Sequence, residues 1–560
     1  MIGGHLLSLI VFSPLVGVLG VLAVLALELP AARRDHLVRQ VALGASGLPL
    51  LLGIWLWATF DGASAGLQHV ERAAWIGSVG IEYFVGVDGL NVTMVVLTTL
   101  IGFIATLASM PWWRRTSEHD DPAHPHFSGL RVPGYFAMLL LLQMGMAGTF
   151  AALDAFLFFV FFELMLVPMY FLIGIWGGAR KEYAAIKFFL YTLVGSVFLL
   201  LAIIALYWQS GNAALFAQLS PPDLLKLGSD GVVSQGLDGA WAYRIGDGTF
   251  SARTFDLTRW RALGRAGFFE PAGTFLFDAP FSTVIWGLLF IGFAVKVPVV
   301  PLHTWLPDAH VEAPAPISVI LAGVLLKMGV YGMLRFNVAI FPDTTRSLFL
   351  FIAALGVVNV IYGSMVCLAQ RDLKKMIAYS SISHLGFSIL GIAAMTPAAL
   401  SGATLNLFTH GLISAMLFLV AGVLYDRAHH RELDGFGGLA TPMPELTAIT
   451  GLAFFASLGL LGLAAFVPEF LVLTGSFGAL PWHTAICVGG MVLTAAYYLW
   501  AFQRVFLGKL NDRYEAIADL NWRERLTLYP LGALVLLLGV YPNALLRLVD
   551  AALARLAGPG

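Results

Sequence analysis

Apolar residues run along this chain in long blocks broken by short polar stretches. A block of roughly 20 is what a helix needs to cross the hydrocarbon core, where every backbone amide must be satisfied within its own segment. About fourteen such runs are present, at 6–27, 41–59, 90–110, 133–152, 154–175, 184–208, 281–300, 315–337, 347–369, 375–395, 401–424, 446–474, 484–506 and 528–547. The pattern predicts an all-α polytopic membrane protein of about 14 transmembrane helices. Met1 to Pro30 is apolar from Leu6 onward and has no basic stretch ahead of it, so it reads as a first transmembrane helix and not as a removable signal. The connection 209–280 contains Pro, Gly, Asp and Trp in no helical period and reads as an external loop or small hairpin.

Composition supports the same class. Of the 560 residues, 59% are hydrophobic and 12% charged, which does not describe a water-soluble surface. A net charge of −1 asks for no nucleic acid or other polyanionic partner. Two cysteines, Cys367 and Cys487, are too few for a disulfide framework, a zinc site or an iron–sulfur cluster. Redox chemistry, if coupled to this chain, is expected on another one.

Cations set the orientation. Loops after odd-numbered runs hold Arg33, Arg34 and Arg39, then Arg114, Arg115 and Arg131, Arg180 and Lys181, Arg371, Lys374 and Lys375, Arg427 and Arg431, and Arg504, Lys509, Arg513, Arg523 and Arg525. The short loops after even-numbered runs hold only Arg72, Arg335 and Arg346. Positive charge stays inside, so both termini are expected outside.

Ion-moving membrane proteins are commonly built from inverted repeats. Leu172-Ile173-Gly174 is echoed by Ile389-Leu390-Gly391, Thr192 by Thr409, and Gly292–Pro298 by Gly462–Pro468. Runs 4–8 are therefore expected to recur upside down as runs 9–13. The implied domains are 1–132 with runs 1–3, 133–337 and 338–510 for the two repeats, and 511–560 for the last loop and helix. Runs seven and twelve each carry a Pro beside an ionisable residue, Lys296 near Pro298 and Glu469 after Pro468. Proline removes a backbone donor and frees a carbonyl, so both helices are expected to be broken near the midplane.

Four charged residues, Glu163, Lys296, Lys327 and Glu469, sit in otherwise apolar runs, joined by His384 and His410. A charge at the centre of a membrane helix costs about 2.5–3.5 kcal/mol, so four demand an explanation. They could be fixed interhelical ion pairs, and a neutral imidazole bonded to a serine or a carbonyl is a common core group. The other reading is a proton path. One Glu–Lys contact at about 4 Å is worth roughly 4 kcal/mol at an effective dielectric near 20. Moving one charge against about 150 mV costs roughly 3.5 kcal/mol, so making and breaking a Glu163–Lys296 contact could gate one proton. The polar stretch Pro301–Pro314 contains His303, Asp308, His310 and Glu312, but Pro307 prevents one continuous helix from presenting them as metal ligands. It is expected to form the outer half of broken helix seven, with capping bonds and an external proton exit.

These residues resemble a known family. Lys296-Val297-Pro298 with Pro301–His310, then Leu321–Gly329 around Lys327, and Tyr379–Gly386 around His384, are similar to the antiporter-like subunits of proton-pumping NADH:quinone oxidoreductase, respiratory complex I. Phe161-Phe162-Glu163-Leu164, Tyr425-Asp426-Arg427 and Phe436–Leu439 resemble its M-type chain more than the L or N type. The resemblance implies a fourteen-helix inverted-repeat fold with one proton channel. It also implies roles: Glu163 as charge partner of Lys296, Lys327 as the connecting lysine, His384 and His410 as relay, and Glu469 as the terminal carboxylate. NAD, FMN, iron–sulfur clusters and quinone would then belong to partner subunits, with no cofactor or metal on this chain, and its neighbours would be the L- and N-type chains and small membrane subunits. Ala315-Pro316-Ile317 and Gly462–Ala465 depart from the family pattern, and the second leaves the break in helix twelve unplaced. A subunit of a multisubunit sodium/proton antiporter or of a membrane-bound hydrogenase shares this core, and a noncatalytic scaffold is a third reading.

Overall fold

The computed structural model describes residues 4–110, 131–212, 253–270, 275–276 and 278–557, together with the backbone of three strands within 232–251. The order begins with α1 (Leu6–Leu25) and α2 (Ala31–Thr59), the hairpin β1 (Gln68–Ile76) and β2 (Ile81–Val87), then α3 (Val92–Ala108), α4 (Arg131–Ala151), α5 (Ala155–Leu164), α6 (Leu166–Trp176) and α7 (Lys181–Ser210). Strands β3 (Val232–Gln235), β4 (Trp241–Ile245) and β5 (Gly248–Ser251) form an antiparallel sheet. They are followed by α8 (Leu257–Arg265), α9 (Phe281–Lys296), α10 (Trp305–Glu312) and α11 (Ala315–Val338). The chain ends with α12 (Pro342–Ser347), α13 (Phe349–Ala369), α14 (Leu373–Ala394), α15 (Pro397–Ala428), α16 (Pro444–Ser457), α17 (Phe466–Phe477), α18 (Pro481–Phe506), α19 (Trp522–Val540) and α20 (Asn543–Ala557).

The chain is mostly helical, and each of the fourteen apolar runs contains a helix or a pair of helices. Ten helices among the described residues are long and apolar enough to cross a membrane, or up to eleven if α19 and α20, bent by 66°, count as one span. Three shorter apolar helices, α3, α9 and α17, add to these. Start signals are local: Asp154 caps α5, Asp372 caps α14, and Asn521 with Glu524 forms a capping box on α19. Pro397, Pro444 and Pro481 open their helices, where a missing N–H costs nothing.

Burial separates centre from rim. The apolar windows of α11 and α15 are 100% enclosed by other helices and that of α14 is 94% enclosed, whereas those of α7, α13 and α18 are 39%, 39% and 33% enclosed. The rim helices present Val194, Leu201, Phe351, Met365 and Val492 outward, as surfaces wetted by lipid require. The enclosed three carry Lys327, His384 and His410, so the buried charges sit in the middle of the bundle.

Several expectations need correction. Arg335 is no loop residue: it lies inside α11 and is 9% exposed. Helix two begins at Ala31, so Arg33, Arg34 and Arg39 are helical. The fifth run is broken at Met165, because Pro168 has no N–H to give the Leu164 carbonyl. Between runs two and three the chain forms an unforeseen β-hairpin whose strand β1 places Glu71 to accept the Leu7 amide at 2.7 Å. Arg114, Arg115 and parts of the 209–280 connection lie outside the described residues.

Candidate functional site

Lys296 is the last residue of α9, where the negative end of the helix dipole favours a cation. It is 1% exposed, its Nζ has no hydrogen-bond partner, and it stands 4.2 Å from the centroid of the Phe162 ring. The chain then leaves the helix until Trp305. Carbonyls and amides freed by the break are taken up by protein: Trp305 Nε1 donates to the Val295 carbonyl at 2.9 Å, and Val300 N donates to Asn359 Oδ1 at 2.8 Å. Broken helix seven is thus as expected, although Pro298 falls in the break itself and not inside a helix.

Glu163 occupies the last turn of α5, next to the break at Met165, and is half-buried. Its carboxylate interacts electrostatically with Lys296 and reaches Ser196, while Oε1 has no hydrogen-bond partner. No ion pair within 4.0 Å joins Glu163 and Lys296, so the structure shows them apart.

Lys327 is fully buried in α11, in a seven-residue α-helical stretch, Leu326–Gly332, flanked by two π-helical segments, Leu321–Leu325 and Met333–Val338. The widened first segment presents the Ala322 carbonyl, and the Lys327 ammonium folds back to donate to it. Lys327 acts electrostatically on both His310 and His410.

The third group is a continuous hydrogen-bonded chain. His384 Nδ1 meets Glu469 Oε1 at 2.9 Å, and His384 Nε2 meets Ser457 Oγ at 3.1 Å. Ser457 donates to Tyr498 at 2.7 Å, and Tyr498 donates to Ser380 at 2.9 Å. The His410 ring lies 5.4 Å from that of His384, with its Nδ1 unpartnered. His384, His410 and Glu469 are 2%, 4% and 2% exposed.

The break that the sequence could not place in helix twelve spans 458–465, between α16 and α17. It turns on Gly459 at φ +79° and Gly462 at φ +84°, a left-handed backbone that favours glycine. Pro468 lies in the first turn of α17, where proline is tolerated, so it follows the break and does not cause it. Glu469 shares that first turn, at the positive end of the helix dipole, which favours a carboxylate.

Pro301–Pro314 is tied to the neighbouring segments by hydrogen bonds and an ion pair. Glu312 accepts the Arg180 amide at 2.9 Å, its carbonyl accepts the Gly178 amide at 2.8 Å, Arg431 donates to the Val311 carbonyl at 2.6 Å, and Lys187 pairs with Asp308 at 2.7 Å. These partners put the segment on the same face as the loops holding Arg180, Arg371 and Arg431, the face that the charge rule places inside. The segment makes the expected capping and interhelical bonds, and the two expectations drawn from the sequence, an outer exit here and cation-rich loops inside, conflict at this shared face. His310 stacks on Phe418 with ring centroids 4.3 Å apart and both its nitrogens unpartnered. No group of three or more His, Cys, Asp or Glu among the described residues is arranged to hold a metal ion.

Sequence reasoning missed a buried ion pair. Arg335 binds Asp88 through both guanidinium nitrogens, at 2.7 and 2.8 Å, and its Nε donates to Tyr331 at 3.1 Å. Lys327, Tyr331 and Arg335 follow one another at four-residue spacing, which puts them on one face of α11 and was readable as a pattern. Ser457, Tyr498 and Ser380 carried no such signal, since single hydroxyls are common in apolar helices.

The transmembrane family described as NADH:quinone oxidoreductase/Mrp antiporter matches residues 152–229 and 260–494. NADH-quinone oxidoreductase subunit M of Rhodobacter capsulatus is 39% identical over 558 residues, covering 99% of this chain and 96% of that protein. NADH-ubiquinone oxidoreductase chain 4 of Arabidopsis thaliana is 35% identical over 558 residues, covering 99% of this chain and 97% of that protein. A chain of respiratory complex I from Thermus thermophilus with bound NADH superimposes with a TM-score of 0.75 at 28% identity, covering 98% of this chain and 100% of that one. A chain of the Mrp complex from Dietzia sp. DQ12-45-1b shares the fold alone, with a TM-score of 0.78 at 19% identity over 100% of this chain and 98% of its own. Matched through its helical core by the family and along nearly its whole length by relatives above 30% identity, the chain belongs to the NADH:quinone oxidoreductase/Mrp antiporter family of multi-pass membrane proteins.

Proposed function

We propose that this chain is the M-type, proton-translocating membrane subunit of a bacterial NADH:quinone oxidoreductase. It conducts protons through Glu163, Lys296, Lys327, His410, His384 and Glu469, driven by electron transfer from NADH to quinone on other subunits. The observation that carries the proton-conducting part is the burial of five of these six groups at 4% exposure or less, three of them, Lys327, His384 and His410, on helices enclosed by the rest of the bundle. Five ionisable groups held out of both lipid and water are costly unless they do work.

In this reading Lys296 holds a proton while Glu163 is near and passes it inward when Glu163 withdraws. Lys327 takes it up on its amine and hands it to the His410 and His384 imidazoles, and Glu469 accepts it at the end. The separated Glu163 and Lys296, each with an unpartnered buried atom, correspond to the state in which the pair is open. Fourteen crossings, an inverted relation of runs 4–8 to runs 9–13, and periplasmic termini complete the proposal, with the bacterial inner membrane as location. FMN, iron–sulfur clusters and the sites for NAD and quinone lie on partner subunits, among neighbours that include L- and N-type antiporter-like chains. The shared fold of the Dietzia Mrp chain supports a second reading, a subunit of a multisubunit sodium/proton antiporter, and identity favours the first.

Vesicles containing the purified complex test this. Glu163→Gln and Lys296→Ala are expected to leave the complex assembled and NADH oxidation measurable while protons pumped per NADH fall strongly. Normal pumping by both variants leaves only a scaffold. Copurifying flavin and iron–sulfur chains distinguish the oxidoreductase from an antiporter.

A further inference from the structure

On the face opposite the Arg180, Arg371 and Arg431 loops, a cavity of about 470 Å³ lies among α8, the end of α11, the segment before β1, and α20. Its walls include Arg261, Arg265, Arg335 and Arg555 against one carboxylate, Asp88. That carboxylate is already held by both arms of Arg335. Among the described residues, none of Arg261, Arg265 and Arg555 forms an ion pair with a carboxylate. Arg265 gives a hydrogen bond to the Arg555 carbonyl, and Arg555 Nη1 donates to the Ala65 carbonyl at 3.3 Å, bonds that fix the two side chains without neutralising them. Burial, then crowding by Arg265 and Arg335, outweighs the attraction of Asp88 and pushes the Arg261 guanidinium down to about 10 from its usual 12.5, so it remains charged at neutral pH.

Partly buried Arg261 and Arg265 and exposed Arg555 converge on this half-open cavity, where the single carboxylate, Asp88, is already engaged by Arg335, so the guanidinium groups repel one another and a bound anion would relieve that repulsion. The planar fork of arginine matches a phosphate oxyanion, which can take two parallel N–H bonds from each group. The volume falls within the range of small-ligand sites, larger than a bare phosphate needs and sufficient for a phosphodiester with its substituent. Thr258, also on the wall, adds a hydroxyl.

We propose that this cavity is a phosphate-binding site, with Arg261 and Arg265 as its principal ligands, taking either the headgroup of an anionic phospholipid or free inorganic phosphate. The site is separate from the buried Glu163–Glu469 row, and the proposal stands or falls without reference to pumping.

The purified complex containing the whole chain provides the test, in two arms. In the first, phospholipid retained after detergent washing is extracted and counted per complex for the wild type and for Arg261→Ala/Arg265→Ala. In the second, binding of orthophosphate to the washed complexes is titrated. A headgroup site predicts one phospholipid fewer in the variant; a free-phosphate site predicts orthophosphate affinity weaker by about tenfold or more, with lipid unchanged. Equal lipid and equal orthophosphate binding in the two complexes overturns the proposal. Should the double variant fail to assemble, Ala262→Phe, which fills the cavity from its wall and keeps every cation, is read the same way. A wild-type complex that holds neither ligand overturns the proposal with no variant needed.

Discussion

Replacing Arg335 by methionine isolates the ion pair that sequence reasoning missed. Both partners have side chains only 9% exposed, and the pair is bidentate at 2.7 and 2.8 Å, so solvent screening is slight. Removing one member of such a pair leaves the other as an uncompensated buried charge, at a cost of roughly 3–5 kcal/mol. At about 1.4 kcal/mol per factor of ten, that lowers the population of correctly packed subunit by at least a hundredfold relative to wild type. Tyr331 also loses its donor at 3.1 Å, which loosens the face of α11 that carries Lys327. The control is Asp88→Asn/Arg335→Met, which removes both charges of the pair and keeps an oxygen for the Leu90 amide, now 3.0 Å from Asp88 Oδ1. Thermal dissociation of the purified complex, followed on native gels, is expected to rank wild type above the double variant and the double variant well above Arg335→Met. A single variant as stable as wild type, or a double variant no better than the single, refutes the reasoning.

Other consequences follow from the same geometry. Glu469→Gln can still bond His384 Nδ1, now at 2.9 Å, but supplies no negative charge; a charge contact worth roughly 4 kcal/mol is lost, so NADH-driven proton uptake by vesicles should fall at least about tenfold with assembly intact. Wild-type uptake in this variant removes Glu469 from the path. Gly329→Val places a Cβ 2.5 Å from Val297 Cγ2 and 2.8 Å from the Phe293 carbonyl, forcing α11 away from α9 at about 1–3 kcal/mol. Less assembled complex is expected than for Gly287→Val, where a Cβ meets nothing within 4 Å, and equal yields would contradict this packing. Burial pushes the Asp154 carboxyl up to about 7 from 3.8, with Asp256 adding repulsion and three amide donors opposing the rise. A carboxyl raised in the folded state contributes stability that is present below about pH 4 and lost as pH rises through about 7. Between those limits the thermal stability of wild type should therefore fall relative to Asp154→Asn, which keeps a capping oxygen but cannot ionise. Parallel pH profiles for the two would show that Asp154 does not titrate there.

The apolar runs and the charges inside them were legible because each depends only on its own stretch of chain. Transfer of a segment into hydrocarbon is close to a sum over its residues, so the positions of the helices, the intrusion of Lys296, Lys327 and Glu469, and the need for a break near Lys296 could be read directly. The proline in run twelve pointed to a broken helix but to the wrong residue, since Gly459 and Gly462 turn the chain there and Pro468 merely follows. Glycine inside an apolar run is too common to mark a break until the backbone angle is seen.

Amino-acid order alone therefore determined that this chain lives in a membrane, roughly where it crosses, and which ionisable groups it buries. Tertiary structure decided which of those groups meet. His384 reaches Glu469 across 85 positions and Arg335 reaches Asp88 across 247, through helix rotations and tilts that hydropathy does not encode. Lipid is as apolar as a helix interface, so the partition that places each helix in the bilayer is nearly indifferent to which face it turns toward its neighbours. Close packing at small residues such as Gly329, and hydrogen bonds between single hydroxyls, make that choice.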